Sequence, residues 1–331
     1  MCSQCGVAGH GPQVFRRAAQ MMRQESGIHP HGAGVFAARR NGEPALLVRS
    51  SRPGHEDSEI IETEARAQGP IELSWRRYIT DGFVKVPTLP VATPDLKIAM
   101  VHNGGFVNRP EVRERLIAGI DEDLRLSMGS RLNDSQIFTG LVITHIRRLV
   151  LEEGAPHPLY EHSQRALKKV RDLIKEVATV EATSEEVKRI NGLEANARAT
   201  GALYKDEQVI DWITGRPMLT PKLSGIVAVT YQADDDYVAG HIAGLREGRR
   251  LSLIFGGGGS DSSLPFDGTP VDWGVIARST ENWPGEEGDR IHSIPEGAVA
   301  GFVVGRDTVT LRRERPTRRR RVASHTTTAS A

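Results

Sequence analysis

The only two cysteines of the 331-residue chain fall within its first five positions, in the opening MCSQCGVAGHGP. A cysteine freed at an N-terminus carries a thiol and an α-amine on one residue, and the amine, with an unperturbed pKa of about 7.7–8.0, can act as base for its own nucleophile. Cys2 is expected to become that residue on removal of Met1 alone. The spacing Cys2-x-x-Cys5 leaves other chemistry open. A dithiol redox pair has this spacing, although it ordinarily opens a helix after a strand. A zinc site would need about four ligands and would draw on histidines such as His10, His29 or His31. A frayed, incidental terminal residue is the plainest alternative.

Any of these needs a framework, and from Gly6 to Val150 the chain reads as mixed α/β. VFRRAAQMMRQ places Val14, Phe15, Ala18, Met21 and Met22 at helical spacing, which predicts a helix with one apolar face. GAGVFAARRNGEPALLVRSS predicts two strands joined at Asn41-Gly42. IAMVHNGGFVN predicts a short strand that breaks into an Asn/Gly turn, and NDSQIFTGLVITHIRRLVLEEG a capped helix with Ile137, Leu141 and His145 on one face. From about Pro156 to Arg216 the texture changes to charged helix, which reads as a helical insertion. Strands resume through PKLSGIVAVTY, YVAGHIAG, RRLSLIFGG, WGVIARS and AVAGFVVGRDTVTLRR. A single layered α/β domain over residues 2–311 is therefore expected, its sheets completed by both halves of the chain. An Arg-rich segment, 312–331, has a composition that cannot build a core and reads as a disordered tail.

Five stretches, in order, resemble the class II glutamine amidotransferases, which are N-terminal nucleophile (Ntn) hydrolases. CSQCGVAG is similar to their opening Cys-Gly-Ile-x-Gly-Ile-x-Gly, with Cys2 on the nucleophile and Gly6, Val7, Ala8 and Gly9 on the small and apolar positions. IHPHGAGVF echoes Arg-Gly-x-Asp-x-Ala-Gly-Ile through Gly32, Ala33, Gly34 and Val35, without its Arg and Asp. RRYITDG resembles Thr-Arg-Tyr-Ser-Thr-x-Gly, VHNGGFVN the oxyanion segment, and NDSQIF the segment Ser-Asp-Thr-Glu. A fainter match, DRIHSIPEGAVAGFVV, carries an Ile-Pro-x-Gly turn before a closing strand.

The resemblance implies a four-layer αββα sandwich of the Ntn-hydrolase type and hydrolysis of L-glutamine to glutamate and ammonia through a thioester on Cys2. It sets Asn103 and Gly104 on the oxyanion hole, Arg77 on the glutamine α-carboxylate and Asp134 on the α-amine, with Tyr78, Thr80 and His102 at the substrate site. A planar guanidinium suits a carboxylate, a carboxylate suits an ammonium, and each oxyanion donor of this sort is worth about 2.7–4 kcal/mol. Taken alone, Arg77 reads as a surface arginine beside Arg76, Asp134 as a helix cap and Asn103-Gly104 as a turn. CGVAG also resembles the family's opening, which makes Cys5 an alternative nucleophile if four residues are removed; otherwise Cys5 is a strand residue packed behind Cys2.

No metal or organic cofactor is expected for this half-reaction. No sugar isomerase domain, phosphoribosyl-binding signature or Gly-x-x-x-x-Gly-Lys loop is found, and FGGGGSD lacks the lysine and reads as a turn. The expectation is a glutaminase subunit that passes ammonia to a separate synthase, with the insertion as candidate partner surface. Ser3 and Gln4 replace the family's Gly-Ile, Gln136 stands where Glu is common, and Asp81 follows Thr80 where relatives have histidine. These departures admit an amidohydrolase acting on another γ-glutamyl amide, or an inactive regulatory or nucleic-acid-binding protein using its arginine tail. Composition excludes a membrane or disordered class: 38% of residues are hydrophobic, 26% charged, and Lys+Arg balance Asp+Glu at 43 to 42. With no spanning run and no secretory leader read in the sequence, a cytoplasmic location is expected.

Overall fold

The computed structural model describes residues 2–10, 12–39, 43–66, 69–77, 89–106, 109–154, 159–181, 209–210, 217–234, 237–248, 251–256, 270–271, 274–278 and 289–313. Tyr78, Thr80, Asp81, the Asn41-Gly42 turn, most of the glycine-rich run and most of the 182–216 segment lie outside them, as does the tail beyond Arg313.

Two seven-stranded sheets form the centre. The first contains β1 (Ser3–Gly9), β2 (Ala33–Ala37), β3 (Leu46–Ser50), β4 (Ile71–Arg76), β12 (Ser252–Gly256), β14 (Gly274–Arg278) and β15 (Asp289–Ser293), in the order β15-β12-β14-β1-β4-β2-β3. The second contains β5 (Val91–Ala92), β6 (Ile98–Gly105), β10 (Lys222–Asp234), β11 (Tyr237–Leu245), β13 (Pro270–Val271), β16 (Val299–Val304) and β17 (Val309–Arg313), in the order β13-β17-β16-β11-β10-β6-β5. All pairings are antiparallel. Three short strands, β7 (Val180–Glu181), β8 (Val209–Ile210) and β9 (Pro217–Leu219), make a small separate sheet.

The sheets pack face to face, with β1 and β4 against β6, β10 and β11. At Gly6 they approach so closely that a Cβ would lie 2.8 Å from Ile226 Cγ2. Outside the first sheet lie α1 (Pro12–Ile28), whose apolar face of Val14, Phe15, Ala18, Met21 and Met22 is buried, and α2 (Ser58–Arg66). The second sheet is covered by α5 (Asp134–Glu153) and α6 (Tyr160–Ala178), with the short α3 (Pro110–Ile117) and α4 (Glu122–Ser127) packed on α5. The fold is thus the four-layer αββα sandwich that the resemblance implied. No helix among the described residues is long and apolar enough to cross a membrane.

Three local expectations are revised. The segment through Asn103-Gly104-Gly105 is strand rather than turn, because β10 pairs with it residue for residue, Ser224 with Asn103, Leu223 with Gly104 and Lys222 with Gly105. α6, which opens the segment read as an insertion, buries Leu167, Val170 and Ile174 in the main core and completes the outer layer beside α5. β17 runs through Arg313, two residues into the segment read as tail.

Candidate functional site

Successive side chains of a strand point to opposite faces, and this alternation assigns the two cysteines. Cys5, 0% exposed, packs with Val7, Val14, Phe15 and Met22 in the cluster beneath α1. Cys2 is half-buried, packs against the other, larger cluster, and its backbone nitrogen donates to Asn103 Oδ1 at 3.3 Å. A disulfide needs Cα atoms roughly 4.4–6.8 Å apart, whereas three residues of extended chain span about 10 Å, so the redox pairing does not fit this strand. Among the described residues no cluster of three or more His, Cys, Asp or Glu could hold a metal, so the zinc reading finds no ligand set there.

Asn103 and Gly104 end β6. Asn103 is buried, and its carboxamide is turned with its oxygen on the Cys2 nitrogen, which directs the NH2 donors to the other side. Gly104 has φ of 159° and lies against Lys222, so a Cβ there would collide with the Lys222 carbonyl. On the opposite face of β6, His102 bonds Ser135 Oγ at 2.9 Å and the Lys222 carbonyl at 3.2 Å and lies edge-on to Phe138 at 4.9 Å. This environment makes His102 a support between β6, α5 and β10; its ring lies on the α5 side of the strand.

Asp134 opens α5. The helix is capped by Asn133, which accepts from the Gln136 backbone at 2.8 Å while the Gln136 side chain accepts from the Asn133 backbone at 3.1 Å. The cap is therefore Asn133, and the Gln136 that departs from the family's Glu closes the capping box. Asp134 accepts from Ser135 N at 2.7 Å, and its Oδ2 lies 2.7 Å from where a Cβ on Gly105 would stand. A side chain at position 105 would displace that carboxylate from the end of β6.

Arg77 follows β4 directly and is 4% exposed. Its backbone is clamped by the IHPHGAG segment, donating to Gly32 O at 2.9 Å and accepting from His31 N at 3.1 Å. In the β1–β4 ladder Ser3 pairs with Arg76, and one further step sets Cys2 opposite Arg77, on the same face. The structure thus brings Cys2, Arg77, Asn103 with Gly104, and Asp134 to the ends of four neighbouring elements, β1, β4, β6 and α5. Tyr78 and Thr80 lie outside the described residues.

The sequence marked Gln4 only as a departure from the family's pattern and gave it no role. It is fully buried on the Cys2 face of β1, and its Nε2 donates to the Ser224 carbonyl at 3.1 Å, tying the strand of Cys2 to the strand that backs Asn103. An amide among small and apolar residues at an inward strand position was the available signal.

The other face of β4 carries a different cluster. Arg76, 0% exposed, reaches Glu64 on α2 at 2.5 Å and Ser26 on α1 at 2.7 Å. Ser74 donates to Glu72 at 2.8 Å, and burial, with the nearby Glu64 charge adding to it, pushes the Glu72 carboxyl up to about 8.

Among solved structures the chain is similar to a glutamine aminotransferase class-II domain protein from Silicibacter pomeroyi, at 12% identity over 95% of this chain and 100% of that one, with a TM-score of 0.48. It is also similar to glutamine phosphoribosylpyrophosphate amidotransferase from B. subtilis, complexed with ADP and GMP, at 14% identity and TM-score 0.45. A third similar structure is an allosteric regulatory enzyme of purine biosynthesis, at 13% identity and TM-score 0.46. The chain spans about half the length of these two, covering 49% of each, while 94% of this chain is aligned. No family model matches the chain, and no curated protein matches it.

Proposed function

We propose that the protein is the glutaminase component of a glutamine amidotransferase, hydrolysing L-glutamine to glutamate and ammonia with Cys2 as nucleophile. The observation that carries this reading is the 3.3 Å contact between the Cys2 nitrogen and Asn103 Oδ1. It sets a thiol and its own amine beside a carboxamide and a glycine at a strand end, which is the donor arrangement that an oxyanion needs.

The reading requires the Cys2 nitrogen to be a free amine, so the preceding peptide bond must be cut. The amine then takes the thiol proton, and the thiolate sulfur attacks the side-chain amide carbon of glutamine. The carbonyl oxygen becomes an oxyanion held by the Asn103 NH2 and a backbone N–H at Gly104. As the tetrahedral species collapses, the C–N bond breaks and the ammonium of Cys2 returns its proton to the leaving nitrogen, giving ammonia and a γ-glutamyl thioester. Water, deprotonated by the same amine, cleaves the thioester to glutamate and restores the thiol. Arg77 receives the substrate α-carboxylate and Asp134 its α-ammonium, so both ends of the amino acid are matched by charge. Cys5 faces α1 in this arrangement and has no part in the reaction. Ammonia passes to a synthase supplied by a separate subunit.

Intact-mass spectrometry with 6-diazo-5-oxo-norleucine, followed by peptide mapping, tests the reading. The expected product is a chain that begins at Cys2 and is labelled there. A retained Met1 with no label at Cys2, or a label at Cys5 on a shortened chain, would remove this mechanism.

A further inference from the structure

On the outer surface of the molecule, remote in sequence from Cys2, the seam between α5 and α6 opens into a cleft of about 210 Å³. Its α5 wall is His145, Arg148, Leu149 and Glu152, a stripe at helical spacing, and its α6 wall is Arg165, Ala166 and Lys169. Deeper in the same seam the helices are closed by apolar side chains such as Leu141, Val142, Leu167 and Val170. A stripe facing a neighbouring helix is ordinarily apolar. Here the small Ala166 leaves space, and beside Leu149 it is lined by three cations, Arg148, Arg165 and Lys169, against the single carboxylate of Glu152.

The charges of the cleft are unequally matched. Arg165 is held bidentately by Glu153, at 2.6 and 2.7 Å. Arg148 lies 3.5 Å from Asp121 and donates to the Gly119 carbonyl at 3.3 Å. Lys169 and the half-buried His145 have no hydrogen-bond or ion-pair partner among the described residues. His145 is held below its ordinary pKa, first by burial and then by Lys169 and Arg148, against smaller opposing contributions from Glu152 and Asp121. The field at the imidazole is therefore net positive.

We propose that this cleft binds a small phosphorylated anion, with Lys169 as the principal charge and His145 as a further donor. Phosphate is favoured over carboxylate because the two guanidinium forks, which match planar carboxylates, already face Glu153 and Asp121. The groups left to a ligand are a point ammonium and an imidazole N–H, which suit a tetrahedral oxyanion. The cleft admits a group of phosphate or diphosphate size. An anion there would favour protonated His145, which gives the site a signature of its own.

Pyrophosphate titrated into the full-length protein, followed by calorimetry and by the NMR pH titration of His145, is the test; His145→Gln assigns the resonance. Saturable binding is expected, together with a rise in the His145 pKa of at least about half a unit. Lys169→Glu, an exposed substitution, should weaken binding at least about tenfold. That variant keeps the arginine-rich segment beyond Arg313, so binding that survives it would assign pyrophosphate to that segment and overturn the proposal. Absence of saturable binding, or an unmoved His145, would overturn it as well. Succinate binding as tightly as pyrophosphate would overturn the choice of phosphate.

Discussion

Arg76 and Arg77 are adjacent in the chain and nearly equally buried, yet they belong to different regions of the molecule. Arg76 points from β4 into the layer of α1 and α2, where Glu64 and Ser26 take up its guanidinium. Arg77 falls on the other face, where the ladder sets it opposite Cys2. β1 divides its cysteines in the same way, Cys5 under α1 and Cys2 towards Asn103. One face of these two strands is closed by partners of its own, and the other carries groups suited to a substrate. The two-residue period of a strand does the sorting, so chemically identical residues one or three places apart acquire different surroundings.

The largest effects should separate the cysteines. Cys2→Ala is expected to lower glutaminase turnover by at least about 10⁴-fold, as loss of a nucleophile does, and to abolish labelling by the diazo analogue. Cys5→Ala should keep turnover within about twofold and lower stability by about 1 kcal/mol, since only a small buried side chain is trimmed. Comparable losses of turnover in both variants, with melting temperatures unchanged, would erase the distinction between the faces.

The arginines give the next test. Arg76→Ala strands Glu64 beside Glu72 in the interior and should cost about 3–5 kcal/mol of stability, the usual penalty for breaking a buried pair. Replacing both partners, Arg76→Met with Glu64→Leu, should recover much of that loss. Arg77→Ala should leave the melting temperature within a few degrees and raise KM for glutamine by about 10–100-fold, the equivalent of one charge-assisted contact. If Arg77→Ala changed only stability, Arg77 would be a second structural arginine.

Much of this division was legible in the sequence. The apolar face of α1 and the strand segments after Pro221 were read from spacing, while the grouping of Cys2, Asn103, Asp134 and Arg77 was implied by the family resemblance alone. What was hidden depends on partners distant in the chain. Asn-Gly-Gly is turn chemistry in isolation, and only the pairing of Leu223 with Gly104 and Lys222 with Gly105 draws it out as strand. Asp134 and Asn133 are both good caps, and the choice between them was made by Gln136 reaching back to Asn133. The charged texture of α6 suggested an insertion, yet its buried stripe of Leu167, Val170 and Ile174 is as wide as a covering helix needs. Glu72 and Arg76 gave no sign of burial, because an alternation of polar residues on a strand ordinarily marks a face towards water.

That last feature yields a prediction confined to the α1–α2 side. Folded Glu72 keeps its proton up to about 8, whereas in an unfolded chain it ionises near its ordinary 4.5. A folded-state pKa raised in this way contributes stability that is complete below about pH 4.5 and is lost as pH rises towards 8. Chemical denaturation at pH 5, 6.5 and 8 should therefore show the protein weakening with pH, by no more than about 1.4 kcal/mol per unit from this group. Glu72→Gln keeps the acceptor for Ser74 and removes the titration, so its stability profile should be flatter over the same window. The pH profile of kcat should be alike in the two proteins, because Glu72 and Cys2 lie on opposite faces of the first sheet. A shifted kcat profile in Glu72→Gln would mean that the two faces are electrostatically coupled and that the separation argued for the arginines is incomplete.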